Sequence, residues 1–134
     1  MNKKIMVVDD EPDILTALRI IFENYGYDVT TVETGRECIE EIKRGFEGVV
    51  LIDIMMPKMD GWATIKKIVD KELTKNIAIE VITGKGTKDH EKMCGLEPYI
   101  FDYLVKPFNP EELISSVETL SFKLFSRNVK RWYN

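Results

Sequence analysis

Val49-Val50-Leu51-Ile52-Asp53 is the stretch on which the fold turns. Four consecutive apolar residues, three of them β-branched, read as a strand buried on both faces. The run ends on a carboxylate and passes into the loop Ile54-Met55-Met56-Pro57-Lys58-Met59-Asp60-Gly61. The same grammar recurs on either side. Ile5-Met6-Val7-Val8 ends on Asp9 and Asp10, the run Ile77 to Ile82 ends on Thr83, and Ile100 to Val105 is followed by Lys106. In an open parallel sheet the carboxyl ends of the strands share one edge, and ligands bind along it. Three carboxylates, a hydroxyl and an amine on one edge suit the binding of a divalent metal and the transfer of a phosphoryl group onto Asp53.

Between these runs lie helical patterns. Pro12 suits a first helical turn, with Asp10 or Glu11 as the cap, and Ile14, Leu15, Leu18, Ile21 and Phe22 make one apolar stripe ending near Tyr25-Gly26. Asp28 to Val32 reads as a second strand, and Thr34 caps a helix carrying Cys38, Ile39 and Ile42 that Gly45 closes. Helix is expected over Gly61 to Leu73, strand over Asn76 to Thr83, a short polar helix over Thr87 to Cys94 and strand over Tyr99 to Val105. Asn109-Pro110-Glu111-Glu112 is a helix start of cap, first-turn proline and an acid placed to close a capping box. Five βα units imply right-handed crossovers, hence an α/β, doubly wound five-stranded parallel sheet with helices on both faces. The length favours the flavodoxin-like (βα)5 order over a full dinucleotide-binding fold.

The chain of 134 residues is long enough for one domain. Its formal net charge of −4 argues against generic nucleic-acid binding. Residues 119–134 carry Lys123, Arg127, Lys130 and Arg131 and no acid, so the rest of the chain holds −8 of that total. No apolar run approaches the ~20 residues of a membrane span, and the run after Met1-Asn2-Lys3-Lys4 stops at Asp9-Asp10, too early for a signal peptide. A cytoplasmic protein is expected. Cys38 and Cys94 fit no metal spacing and read as free thiols, and His90 reads as a solvent-facing residue.

Magnesium takes hard oxygen ligands in a near-octahedral shell. Asp9, Asp10 and Asp53 supply carboxylates, and a backbone carbonyl from the following loop, that of Met55, adds another oxygen. A bound cation relieves the repulsion of three close carboxylates and neutralises an incoming phosphoryl group. Asp53 is then the nucleophile. Lys106 meets the phosphoryl oxygens as a point charge, and the Thr83 hydroxyl donates to another. Each residue also has a plainer reading: Asp10 as a helix cap, Asp53 and Thr83-Gly84 as turn residues, Lys106-Pro107 as punctuation. Five such groups at the ends of four strands favour the joint site.

Together, Asp9-Asp10, Asp53 with Met56-Pro57 and Asp60-Gly61, Thr83-Gly84, and Asp102-Tyr103-Leu104-Val105-Lys106-Pro107-Phe108 resemble the receiver domain of two-component response regulators. The resemblance runs from about Lys4 to Leu124, and residues 125–134 read as an extension of the last helix or a tail. It implies a phosphoacceptor module that catalyses only its own phosphorylation and slow dephosphorylation. A sensor histidine kinase donates to Asp53 with magnesium, and a downstream effector or phosphotransfer protein reads the result. Asp9 and Asp10 match the metal-binding pair, Thr83 and Lys106 the phosphate-sensing hydroxyl and amine, and Tyr103 the aromatic that swings inward with the hydroxyl residue. Met55 and Lys85 match positions flanking the path of hydrolytic water. The stretch Gly86 to Pro98 is atypical, and the chain looks like a stand-alone receiver.

Other classes fit less well. A haloacid-dehalogenase-type phosphatase wants a second aspartate two residues after the nucleophile, where Met55 stands. A receiver serving only for docking would not need all five site residues. A flavin-binding relative would want a Ser/Thr/Gly loop in place of Asp9-Asp10-Glu11. The last helix carries a core stripe, Leu113, Val117, Leu120 and Leu124, and a second apolar set, Phe122, Phe125, Val129 and Trp132, rimmed by basic residues. That second set reads either as a frayed tail whose aromatics fold back loosely or as a docking surface for a second copy of the chain, giving a homodimer, or for an acidic partner.

Overall fold

The structure is a computed structural model that describes residues 3–56, 60–84 and 95–133, with side chains as far as Arg127. In chain order it runs β1 (Lys4–Val8), α1 (Pro12–Asn24), β2 (Asp28–Val32), α2 (Gly35–Lys43), β3 (Gly48–Asp53), α3 (Gly61–Asp70), β4 (Ile77–Thr83), a single 3-10 turn (Glu97–Tyr99), β5 (Ile100–Val105) and α4 (Pro110–Tyr133). The expected helix over Thr87 to Cys94, with Lys85, His90 and Cys94, lies outside the described residues.

All five strands are parallel, in the order β2-β1-β3-β4-β5. This is the flavodoxin-like arrangement. From β1 the chain winds to one side, and from β3 it winds to the other, so β1 and β3 flank the point where the winding reverses. The alternation of side chains along each strand then sorts the core. Met6, Val8, Val50, Ile52, Ile79 and Val81 pack against α2 and α3 through Ile39, Ile65 and Ile68. Ile5, Val7, Val49, Leu51, Ala78 and Ile82 pack against α1 and α4 through Leu18, Phe22, Leu113 and Val117. Both faces are covered, which is why β3 shows no polar alternation.

Local signals explain most boundaries. Thr34 accepts from the Glu37 N–H at 3.1 Å and caps α2, Asp60 accepts from the Ala63 N–H at 2.9 Å and caps α3, and Asn109 accepts from the Glu111 N–H at 2.8 Å at the start of α4. Of the two residues expected to cap α1, Glu11 occupies the cap position, without a side-chain bond, and its N–H is taken by Asp9 Oδ1 at 2.9 Å. Element boundaries need correction. Helix α3 stops at Asp70 rather than Leu73, because Glu72 adopts a left-handed backbone (φ 57°) and the Leu73 N–H turns back to the Ile68 carbonyl. Tyr99 belongs to the 3-10 turn, and β5 starts one residue later.

Helix α4 buries Leu113, Val117, Leu120 and Leu124 and leaves Phe122 62% and Phe125 43% exposed. Arg127 is not part of a free basic rim. Its guanidinium donates to the Lys75 and Ile77 carbonyls at 3.0 and 3.3 Å, pinning the helix beyond Leu124 to the start of β4. Cys38 is a buried free cysteine whose thiol burial pushes up to about 12. Among the described residues no helix is long and apolar enough to cross a membrane.

Candidate functional site

The reversal point at the ends of β1 and β3 carries the carboxylates. Asp9 follows β1 directly and is 1% exposed; Asp53 is the last residue of β3 and is 4% exposed. Each buried aspartate folds one oxygen back on its own chain. Asp9 Oδ1 accepts from the Glu11 N–H, and Asp53 Oδ1 accepts from the Met55 N–H, both at 2.9 Å. The second oxygens face a shared cation: Lys106 Nζ lies 3.5 Å from Asp9 Oδ2 and 3.5 Å from Asp53 Oδ2. Asp10 is the most open of the three aspartates, and carboxylate oxygens of Asp9, Asp10 and Asp53 all lie within 4.8 Å of one another.

The electrostatics follow from this crowding. Burial pushes the Asp9 carboxyl up; the Glu11 N–H opposes the rise, the Asp53 charge adds to it and Lys106 lowers it. For Lys106, burial alone would disfavour the ammonium, but the charges of Asp53 and Asp9 outweigh burial and raise it. Among the described residues, three carboxylates against one ammonium leave an all-oxygen donor set with surplus negative charge. That set fits a hard divalent cation such as magnesium.

Thr83 ends β4, is buried, and pairs in register with Val105. Its carbonyl accepts the Lys106 N–H at 2.8 Å, so the ends of β4 and β5 are tied together next to the carboxylates. Met55 is exposed beside Asp53, and its N–H fixes that carboxylate. Tyr103 stands apart from the acidic cluster. It packs on the α2/α3 side of the sheet, its ring centroid 6.2 Å from that of Trp62 at a 44° tilt. Burial, with the Glu97 charge, raises its phenol. The Trp62 contact carries no sequence signal, since it joins residues 41 apart on different elements.

Gly61 sets how closely α3 approaches the loop after Asp53. A Cβ there would stand 2.5 Å from Ile54 Cα and 2.8 Å from the Asp53 carbonyl oxygen. Neither backbone atom can yield without moving Asp53. Gly61→Ala is expected to destabilise the chain by about 1–3 kcal/mol, the usual cost of overpacking, as a lowered urea midpoint. An unchanged midpoint would mean that this approach is not tight.

Comparison with known proteins agrees with this geometry. The family model of the response regulator receiver domain matches residues 5–118. The alkaline phosphatase synthesis transcriptional regulatory protein PhoP of Bacillus subtilis is 37% identical over 120 residues, covering 90% of this chain and 49% of that protein. The response regulator SaeR of Staphylococcus epidermidis is 33% identical over 124 residues, covering 92% and 52%. The chain thus spans about half the length of the curated relatives it matches. Among solved structures, a CheY-like response regulator receiver domain protein from Methanospirillum hungatei superposes with a TM-score of 0.86 at 41% identity, covering 92% of this chain and 97% of that one. The chemotaxis protein CheY4 of Vibrio cholerae superposes with a TM-score of 0.78 at 28% identity, covering 90% and 98%. With strand order, strand-end residues and family model in agreement over most of its length, the chain belongs to the response regulator receiver domains of two-component signalling.

Proposed function

We propose that this receiver domain accepts a phosphoryl group on Asp53 from the phosphohistidine of a sensor histidine kinase. A carboxylate oxygen of Asp53 attacks phosphorus, the P–N bond breaks, and its electron pair returns to the imidazole. Asp9, Asp10 and Asp53, with the Met55 carbonyl, would hold magnesium, which supplies charge neutralisation for the phosphoryl oxygens. Lys106 would swing its ammonium from the carboxylates to the new phosphoryl group, and the Thr83 hydroxyl would donate to it. The Lys106 to Thr83 backbone tie would carry that movement to β5 and Tyr103, shifting the population of two surface states. A downstream effector, a phosphotransfer protein or a second copy docked through α4 would read the change. Residues 1–124 would form the switching unit and 125–134 an extension of its last helix.

The observation that carries this reading is the convergence of three carboxylates and Lys106 on one point at the sheet's reversal. Incubation with a small acyl phosphate should produce a phosphorylated species by intact mass when magnesium is present and none when it is chelated. Equal yields in both would remove the metal from the account. Direct magnesium titration provides a second check, followed by Trp62 fluorescence in a Trp132→Phe background. Asp10→Asn, which deletes one ligand charge, is expected to weaken binding by about tenfold; unchanged affinity would take Asp10 out of the site.

A further inference from the structure

Glu80 is a buried acid that the site does not use. It lies in the middle of β4 with 0% exposure. The strand's alternation puts it with Ala78 and Ile82 on the face that α4 covers through Leu113, Val117 and Leu120. Its neighbour on β3 is Leu51, and its neighbour on β5, across a bulge, is Asp102. From α4, the Ser116 hydroxyl lies within hydrogen-bond distance of both Glu80 Oε1 and Asp102 Oδ2, the latter at 3.0 Å. Glu80 Oε2 has no partner among the described residues. No ion pair with Glu80 occurs among them either, and the nearby charge acting on it is that of Asp102. The groove outside Asp102 and Ser116 also carries Glu111, Glu112 and Lys123.

A serine hydroxyl has one proton. It cannot donate to two carboxylates at once. Were Glu80 and Asp102 both ionised, one would press a negative oxygen against the Ser116 lone pairs, a costly arrangement at Glu80, which is fully buried and has no ion-pair partner among the described residues. A proton on Glu80 removes the conflict. We infer that Glu80 is kept as a neutral carboxylic acid that donates to Ser116, which in turn donates to Asp102, and that this chain is a pH-sensitive latch joining β4, β5 and α4. Thr83 closes the same strand three residues after Glu80, and Tyr103 directly follows Asp102, so the latch lies beneath both elements of the switch.

Burial pushes the Glu80 carboxyl up to about 7; the Ser116 hydroxyl opposes the rise and the Asp102 charge adds to it. An unfolded chain would lose that proton near 4.5. Between those values the folded state binds the extra proton, so stability falls as pH rises through the window and levels off above about 7. The latch is closed below neutrality and opens above it.

The test is a carbon-13 NMR titration of the whole chain, labelled at glutamate side-chain carboxyls, with backbone amides followed in parallel. One carboxyl, identified by its absence in Glu80→Gln, should titrate near 7. The amides of Asp102, Tyr103 and Ser116 should move with the same midpoint in wild type and stay still over that range in Glu80→Gln. Asp102→Asn, at an exposed position, should shift the Glu80 midpoint downward, and this keeps the test usable if Glu80→Gln does not fold. A Glu80 midpoint in the ordinary carboxylate range, amide movement that persists in Glu80→Gln, or a midpoint indifferent to Asp102→Asn would each overturn the proposal. None of these readouts needs phosphorylation, so their failure is separate from failure of the Asp53 assignment.

Discussion

Asp53→Asn is expected to reduce phosphoryl incorporation from any donor to background while leaving the protein folded. An amide oxygen is a far weaker nucleophile than a carboxylate, and the substitution also removes a charge from the proposed metal site. The shape is preserved. An asparagine oxygen can still accept the Met55 N–H that Asp53 Oδ1 accepts at 2.9 Å. Removing one of three crowded carboxylates also relieves repulsion on Asp9, whose carboxyl the Asp53 charge helps to raise. The substitution also gives up the Asp53 side of the Lys106 ion pair, so the two effects oppose, and the thermal midpoint without metal should stay close to that of wild type. Loss of phosphorylation with intact folding identifies a chemical role. Normal yield in the variant would place the acceptor elsewhere.

Lys106→Ala should have the second largest effect, in two separable parts. The first is on stability. Among the described residues Lys106 is the cation facing Asp9 and Asp53, and its removal leaves both buried carboxylates without that partner. Complete burial would make such a loss worth about 3–5 kcal/mol. Because the Lys106 side chain is 25% exposed, water screens part of the interaction, and a loss of about 1–3 kcal/mol in metal-free buffer is expected, with magnesium restoring part of it. The folded ammonium titrates above its unfolded value, so its stabilisation is complete below the unfolded value. It is lost only as pH rises through the folded one, and at neutral pH it is fully present. The second part is on signalling. Phosphorylated Lys106→Ala should lack the change around Tyr103 and Trp62, because the amine proposed to follow the phosphoryl group, and the β5 end it would pull, are no longer coupled. Urea denaturation reads the first part and Trp62 fluorescence on phosphorylation reads the second. A wild-type fluorescence change in the variant would remove Lys106 as the transmitter.

The residues that were legible in the sequence are those whose role follows from a local pattern. The run Val49 to Ile52 shows its burial in its composition, and Asp9, Asp10, Asp53 and Lys106 sit where apolar runs stop, so a parallel sheet brings them to one edge. Thr34, Asp60 and Asn109 announce their helices because capping needs a side-chain oxygen next to a free N–H. Non-local contacts left no such trace. Glu80 disappears among the apolar residues of β4, and its meaning depends on Asp102 and Ser116, 22 and 36 positions away. Arg127 reads as one of four surface cations until the Lys75 and Ile77 carbonyls arrive beneath it. The end of α3 carries no local signal, because Glu72, rather than a glycine, takes the left-handed turn.

The central claim, that Asp53 carries the phosphoryl group as an acyl phosphate, is tested most directly by trapping. The wild-type chain is phosphorylated with a small acyl phosphate and magnesium, reduced with borohydride, digested, and its peptides sequenced by mass spectrometry. An acyl phosphate is reduced to an alcohol, whereas a free carboxylate and a serine or threonine phosphate are not. The account predicts homoserine at position 53 and at no other aspartate, dependent on the donor. Aspartate unchanged at position 53 in a phosphorylated sample, or homoserine at position 9 or 10 instead, would contradict it.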